Sequence, residues 1–302
     1  MNRQDITRSL IELTIDQGIR DMKTDPHRCI RRLADLGRQF SKSHSQDHFF
    51  SLIQKILSCE DSPYYDMVEK LLSSASLASI KRFGINIAYN GWTCGTPLLR
   101  RKKAETCLEY PWFLQLSWDP ASGHALQELS AIISDHKENG AYCYSVQIWE
   151  SLRESTKLFD LFSAFEDCAF WLDLTHSDCM MSREQLQAVG NTPNLMVLLP
   201  YESPNCRPLA QALLSQHSLF AISCKYREEK APYVTAPSFI NELLSFGSVF
   251  LILSAAEGCS PQAQKKAGDS ILHARMEQEY PALLMEWQAD MERIDRIIYP
   301  QT

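Results

Sequence analysis

The chain has 302 residues, 45% of them hydrophobic and 22% charged, with a formal net charge of −7 at pH 7. That length carries one barrel-sized domain with an appendage, or two domains, and the composition excludes disordered and fibrous classes. The acidic balance argues against a dedicated nucleic-acid binder, whose phosphate contacts need a basic face.

Residues 1–82 carry apolar side chains at helical spacing and are read as an all-helical N-terminal segment. Ile6, Leu10, Leu13 and Ile19 form one stripe, and Ile30, Leu33, Leu36 and Phe40 a second. Asp25 and Pro26 suit the start of the second helix, the first as cap and the second in the opening turn. Phe49, Phe50, Ile53, Ile56 and Leu57 predict a third helix, and Tyr64, Met67, Val68, Leu71 and Leu72, after Ser62-Pro63, a fourth.

From residue 83 to 302 the texture changes to short apolar runs separated by helical stretches. The predicted strands are 83–89, 112–118, 141–148, 167–174, 194–199, 219–225 and 248–253. They recur at intervals of roughly 25 to 30 residues, the length of a βα unit. Their near-continuous hydrophobicity implies a sheet covered on both faces. Between them, 125–139 reads as a helix ending on Gly140, and Ser182-Arg-Glu-Gln185 has capping-box spacing. The C-terminus returns to helix over 261–278 and 281–298, the latter with Leu284, Trp287, Met291, Ile294 and Ile298 on one side. The predicted fold is therefore α/β: a parallel partial or full β/α barrel with a helical N-terminal segment and C-terminal helices. An open doubly wound sheet is the alternative.

No apolar run reaches the roughly 18 to 20 residues of a membrane span, the longest candidate being the strand-sized 249–256. The N-terminus has no signal-peptide pattern, so a cytoplasmic protein away from membranes is expected. Ten cysteines occur singly, as suits reduced, largely buried thiols.

The stretch from Phe83 to Cys94, then Leu114 to Gly123, the helix to Lys137-Glu-Asn-Gly140 and the strand to Gln147 together resemble the first three βα units of radical-SAM proteins. In that family a first strand leads into a cluster loop, and a second ends in a glycine-rich acidic turn that meets the amino group of S-adenosylmethionine. The likeness covers some 65 residues in detail, by count from the sequence. The family's chemistry needs three cysteines spaced C-x-x-x-C-x-x-C, because each thiolate fills one cluster position and leaves one iron for the cofactor. Here Cys94 stands alone, with Cys107 thirteen residues on, and Ser117-Trp118-Asp119-Pro120 replaces the glycine-rich turn. The resemblance thus implies the fold without the cluster, and neither a cofactor nor a metal is expected.

Ligand sites in parallel barrels are built at the C-terminal ends of the strands. That rule nominates Tyr89, Asn90, Trp92 and Cys94, then Trp118 and Asp119, then Gln147, Trp149 and Glu150, then Asp173, Thr175 and His176. Tyr201, Glu202, Tyr226, Arg227 and Glu257 complete the set. The alternative account is that any strand end meets solvent and turns polar. His176-Ser-Asp178-Cys179 offers three metal-ligand types without a second convergent pair. Cys94, beside a predicted helix start, is a candidate low-pKa thiol. Arg100-Arg-Lys-Lys103 is a candidate anion patch, although such runs usually form a solvated helix face. Phosphate-loop, dinucleotide and nucleophile-elbow motifs are absent. The leading expectation is a non-catalytic barrel binding a protein partner or small molecule. The alternative is a cluster-independent enzyme with Asp119, Glu150, Asp173 or His176 as acid or base.

Overall fold

A computed structural model of the chain describes residues 3–21, 26–39, 50–51, 53–118, 126–150, 152 and 156–300. Expectations that fall on Asp25, Phe40, Phe49, Asp119 and Ser122 lie outside them.

The N-terminal segment is helical as expected, with α1 at Arg3–Asp21, α2 at Pro26–Gln39, α3 at Pro63–Ser74 and α4 at Leu77–Ile85, and residues 53–56 also helical. Ser62 caps α3 by accepting from Tyr64 N, with Pro63 in the first turn. Cys29, Ile30, Ala34, Leu57 and Tyr65 form a small core of their own. Of the first predicted stripe, Leu10 and Leu13 are 51% and 63% exposed, and the side chains of Ile6 and Ile19 lie outside the described residues. In their place α1 turns Ile11 and Ile15 toward partial burial.

The predicted strand 83–89 is helix. Residues 77–106 run continuously through α4, a π-helix at Asn86–Gly95 and α5 at Thr96–Thr106. The reason is visible in the spacing of Ile80, Phe83 and Ile87, which lie on one helical face and pack against the sheet. Gly95 and Gly140 let this helix touch the turn before the second strand. A Cβ on Gly95 would sit 2.3 Å from Gly140 O, and Gly140 adopts φ +106°.

Seven parallel strands follow in sequential order: β1 Phe113–Trp118, β2 Cys143–Glu150, β3 Ala169–Ser177, β4 Leu195–Pro200, β5 Phe220–Tyr226, β6 Phe250–Ala255 and β7 Leu283–Glu286. Six match predicted runs. The seventh lies inside the stretch read as the helix 281–298, whose helical part is Trp287–Ile298. One face of the sheet packs against helices at Leu126–Glu138 (α6), Thr156–Ala164 (α7), Arg183–Gly190 (α8), Cys206–Ser215 (α9), Pro237–Leu244 (α10) and Pro261–Met276 (α11). The capping box at Ser182 and Gln185 is present.

The other face is closed at the N-terminal ends of the strands by α3, α4 and the π-helix. Phe83 packs edge-on to Trp171 of β3, which meets Phe113 of β1, which meets Trp287 just after β7. The sheet therefore curls enough to bring its two margins into side-chain contact, without β1–β7 backbone pairing among the described residues. Arg100 adds to this closure by donating to the carbonyls of Ile297 and Ile298 at the end of Trp287–Ile298 (α12).

Glu286 caps α12 by accepting from Ala289 N and also accepts from the buried Tyr226 hydroxyl at 2.7 Å. It is fully buried, and burial pushes its carboxyl pKa up against the lowering effect of those hydrogen bonds. Neighbouring Asp290 is held by Arg275 and Arg293.

Phe83→Ala is expected to cost about 3–5 kcal/mol in urea denaturation, because it opens a cavity beneath Trp171, whereas Leu10→Ser, on an exposed position, should stay within about 0.5 kcal/mol. For Glu286 the folded-state pKa is raised, so its contribution is complete at low pH and falls as pH rises through the folded value. Glu286→Gln cannot ionise, so the stability gap between native protein and variant should narrow as pH rises. A gap that widens would contradict the raised carboxyl.

Candidate functional site

Strand alternation fixes what the curled face presents. Phe113, Cys143, Ala169 and Trp171 lie toward its N-terminal end, over the helical plug. Toward the C-terminal ends the same face turns polar, with Ser117 paired to Gln147 and Gln147 to Asp173, and Lys225 paired to Ser254 farther round. Leu198, Ile252 and Met285 keep part of it apolar.

The register between β2 and β3 slips at this level, since Gln147 pairs with Asp173 but Trp149 pairs with His176. Between these pairs Ile148 alone on β2 opposes Leu174 and Thr175 on β3, a β-bulge. Its extra residue, Thr175, donates its backbone N (2.9 Å) and its hydroxyl to Asp173 Oδ1, and Gln147 Nε2 donates to Oδ2 at 3.4 Å. The shifted His176 then stacks on Trp149, centroids 4.3 Å apart and planes within 4°. Asp173 is buried, while Trp149 is 42% exposed.

His176 is held below the ordinary imidazole pKa, first by desolvation and then by the Lys225 ammonium, with Asp173 pulling the other way. Both influences favour the neutral imidazole, the form that stacks on Trp149 as an uncharged ring. Glu202 is occupied from the strand side, accepting from Cys224 Sγ and Lys225 N, both at 3.3 Å.

Several predicted residues are placed elsewhere. Tyr89, Asn90, Trp92 and Cys94 lie on the π-helix at the N-terminal end of the sheet, opposite the strand ends where they were expected. Asn90 is buried there, donating to Asp167 O and to Asn86, which itself donates to Glu166 O and Cys168 O. Cys94 lies within a continuous helix, so no helix N-terminus sits beside its thiol. Trp118 and Tyr226 point into the helix-covered face, Tyr226 bound to Glu286. Arg227 and Glu257 are exposed beyond their strands. Glu150 keeps its backbone pairing to Ser177, its side chain being outside the described residues.

The basic run is absorbed into the fold, Arg100 capping α12, Arg101 near Glu105 and Lys103 on Glu109. Cys179 is buried with a raised pKa, chiefly from desolvation. Among the described residues no three His, Cys, Asp or Glu side chains converge as metal ligands, and no helix is long and apolar enough to cross a membrane. A separate groove of about 530 Å³, lined by Glu228, Pro232, Thr235, Gln262, Lys266 and Asp269, contains none of the predicted residues.

Among the described residues, Gln147, Trp149, Asp173, Thr175 and His176 are the predicted ones that come together. Lys225 was missed; the period-2 pattern of β5 puts it on the face opposite Cys224 and Tyr226, a signal readable once the facing direction is fixed. By NMR titration, His176 should protonate below the usual imidazole value. Lys225→Met should move it up and Asp173→Asn farther down; the reverse directions would refute the assignment of these neighbours. Comparison with protein-family models, curated proteins and solved structures finds no match to this chain.

Proposed function

We propose that the chain is a non-catalytic small-ligand-binding protein, built on a curled parallel partial barrel of radical-SAM-like kind without the iron–sulfur cluster. The observation that carries this reading is the division of the curled face. Helices fill its N-terminal end, and hydrogen-bonding side chains with an exposed aromatic stack gather at its C-terminal end, where parallel sheets bind ligands. Asp173 supports a binding role, since its oxygens already accept from Thr175 and Gln147 and serve to orient the bulge. The helical form of 77–106 supports the loss of the cluster, for Cys94 lies away from the strand ends.

The depressed pKa of His176 favours a second reading, acid–base catalysis with the neutral imidazole as base. A thermal-shift screen with a chemically mixed small-molecule library, followed by NMR of the His176 ring, separates the two. Binding predicts ligands that raise Tm, perturb His176 and are recovered unchanged. Consumption of a ligand, lost in His176→Gln, would establish the enzyme instead. Anaerobic reconstitution with iron and sulfide should yield no stoichiometric cluster, and calorimetry no tight binding of S-adenosylmethionine; a cluster would overturn the reading.

A further inference from the structure

We infer that the strand-end site takes a planar aromatic carboxylate, its ring against the Trp149–His176 stack and its carboxylate on the Lys225 ammonium. This rests on the small-ligand reading above and specifies its chemistry.

Trp149 supplies the first half. An indole 42% exposed beside a sheet whose apolar residues are otherwise largely covered is a costly placement for so large an apolar surface. It is not a loose side chain, because the bulge sets its partner and the imidazole lies parallel to it at 4.3 Å. The pair is a rigid flat surface fixed to two paired strands, and an aromatic ring is the group that gains most from stacking there. His176 and Lys225 stand on the same curled face at the C-terminal strand ends, and the Lys225 charge disfavours the imidazolium, so the imidazole joins the surface as a ring.

Lys225 supplies the second half. Its position in β5 places it on the curled face beside Ser254, where it is exposed. Its backbone N is held by Glu202, while its ammonium makes no hydrogen bond or ion pair among the described residues. Two described carboxylates at this end of the sheet are engaged, Asp173 with Thr175 and Gln147, and Glu202 with Lys225 N and Cys224. One ammonium without a partner among the described residues balances a single negative charge, which matches a monocarboxylate.

The test uses the full chain at about pH 8, where His176 is neutral in every variant. Benzoate, benzamide and cyclohexanecarboxylate are titrated by calorimetry, with the His176 ring followed by NMR. Benzoate is expected to bind saturably and to exceed each of the other two by about threefold, the weight of an exposed ion pair or of a stacked ring. Lys225→Met should erase the preference for benzoate over benzamide, and Trp149→Leu that over cyclohexanecarboxylate. Both positions are exposed, so an unchanged Tm shows that each variant folds. Equal binding of the three probes, preferences that survive in both variants, or a better response to phenyl phosphate would overturn the aromatic-carboxylate assignment. If no probe binds but a library compound perturbs His176, the assignment falls and the small-ligand reading stands. If no compound of any kind perturbs the site, the small-ligand reading falls with it.

Discussion

The contact on which the rest of the structure depends is the aromatic chain Phe83–Trp171–Phe113–Trp287. It joins the N-terminal helices, the first strand, the third strand and the segment after the last strand in one packed line. A seven-stranded parallel sheet in sequential order has every reason to cover one face with its own crossover helices. Nothing in that order covers the other face. Here the line of rings, with Ile80 and Ile87 beside it, removes the lower half of that second face from water and draws the sheet margins together. Only the C-terminal half is left for polar side chains.

The two families of polar groups in the molecule have correspondingly different work. Asn86 and Asn90 are buried beneath the sheet and satisfy carbonyls of the turn before β3. Glu286, Asp290, Arg275 and Arg293 tie β7 to the helices on the covered side. Such groups are structural because their hydrogen bonds are internal and complete. Trp149, His176 and Lys225 differ in facing solvent on an ordered strand.

Much of the fold was legible in the sequence because buried parallel strands announce themselves as apolar runs, and six of these runs are strands. The run at 83–89 misled because aromatic and β-branched residues mask a helical spacing that Ile80, Phe83 and Ile87, and one turn apart Asn86 and Asn90, also satisfy. β7 was hidden by brevity: Leu283–Glu286 enters its helix without a loop, and the strand's last residue, Glu286, is itself the helix cap. Within the site, Gln147, Asp173 and His176 could be read as strand-end residues. The slip that pairs His176 with Trp149 could not, since a bulge is a property of two strands and leaves no mark in one. The four residues on the π-helix were nominated only through the strand that does not exist.

The bulge also changes how densely one strand can furnish a surface. In regular extended chain, four consecutive residues give two side chains to each face. Across residues 173–176, Asp173, Thr175 and His176 all serve the curled face, and Leu174 alone turns to the helices. Three neighbouring functional groups are thereby carried by the sheet itself and not by the connections that leave it. Their spacing is inherited from backbone pairing, so the segments beyond the strand ends are free to vary in length and sequence while this part of the surface keeps its shape.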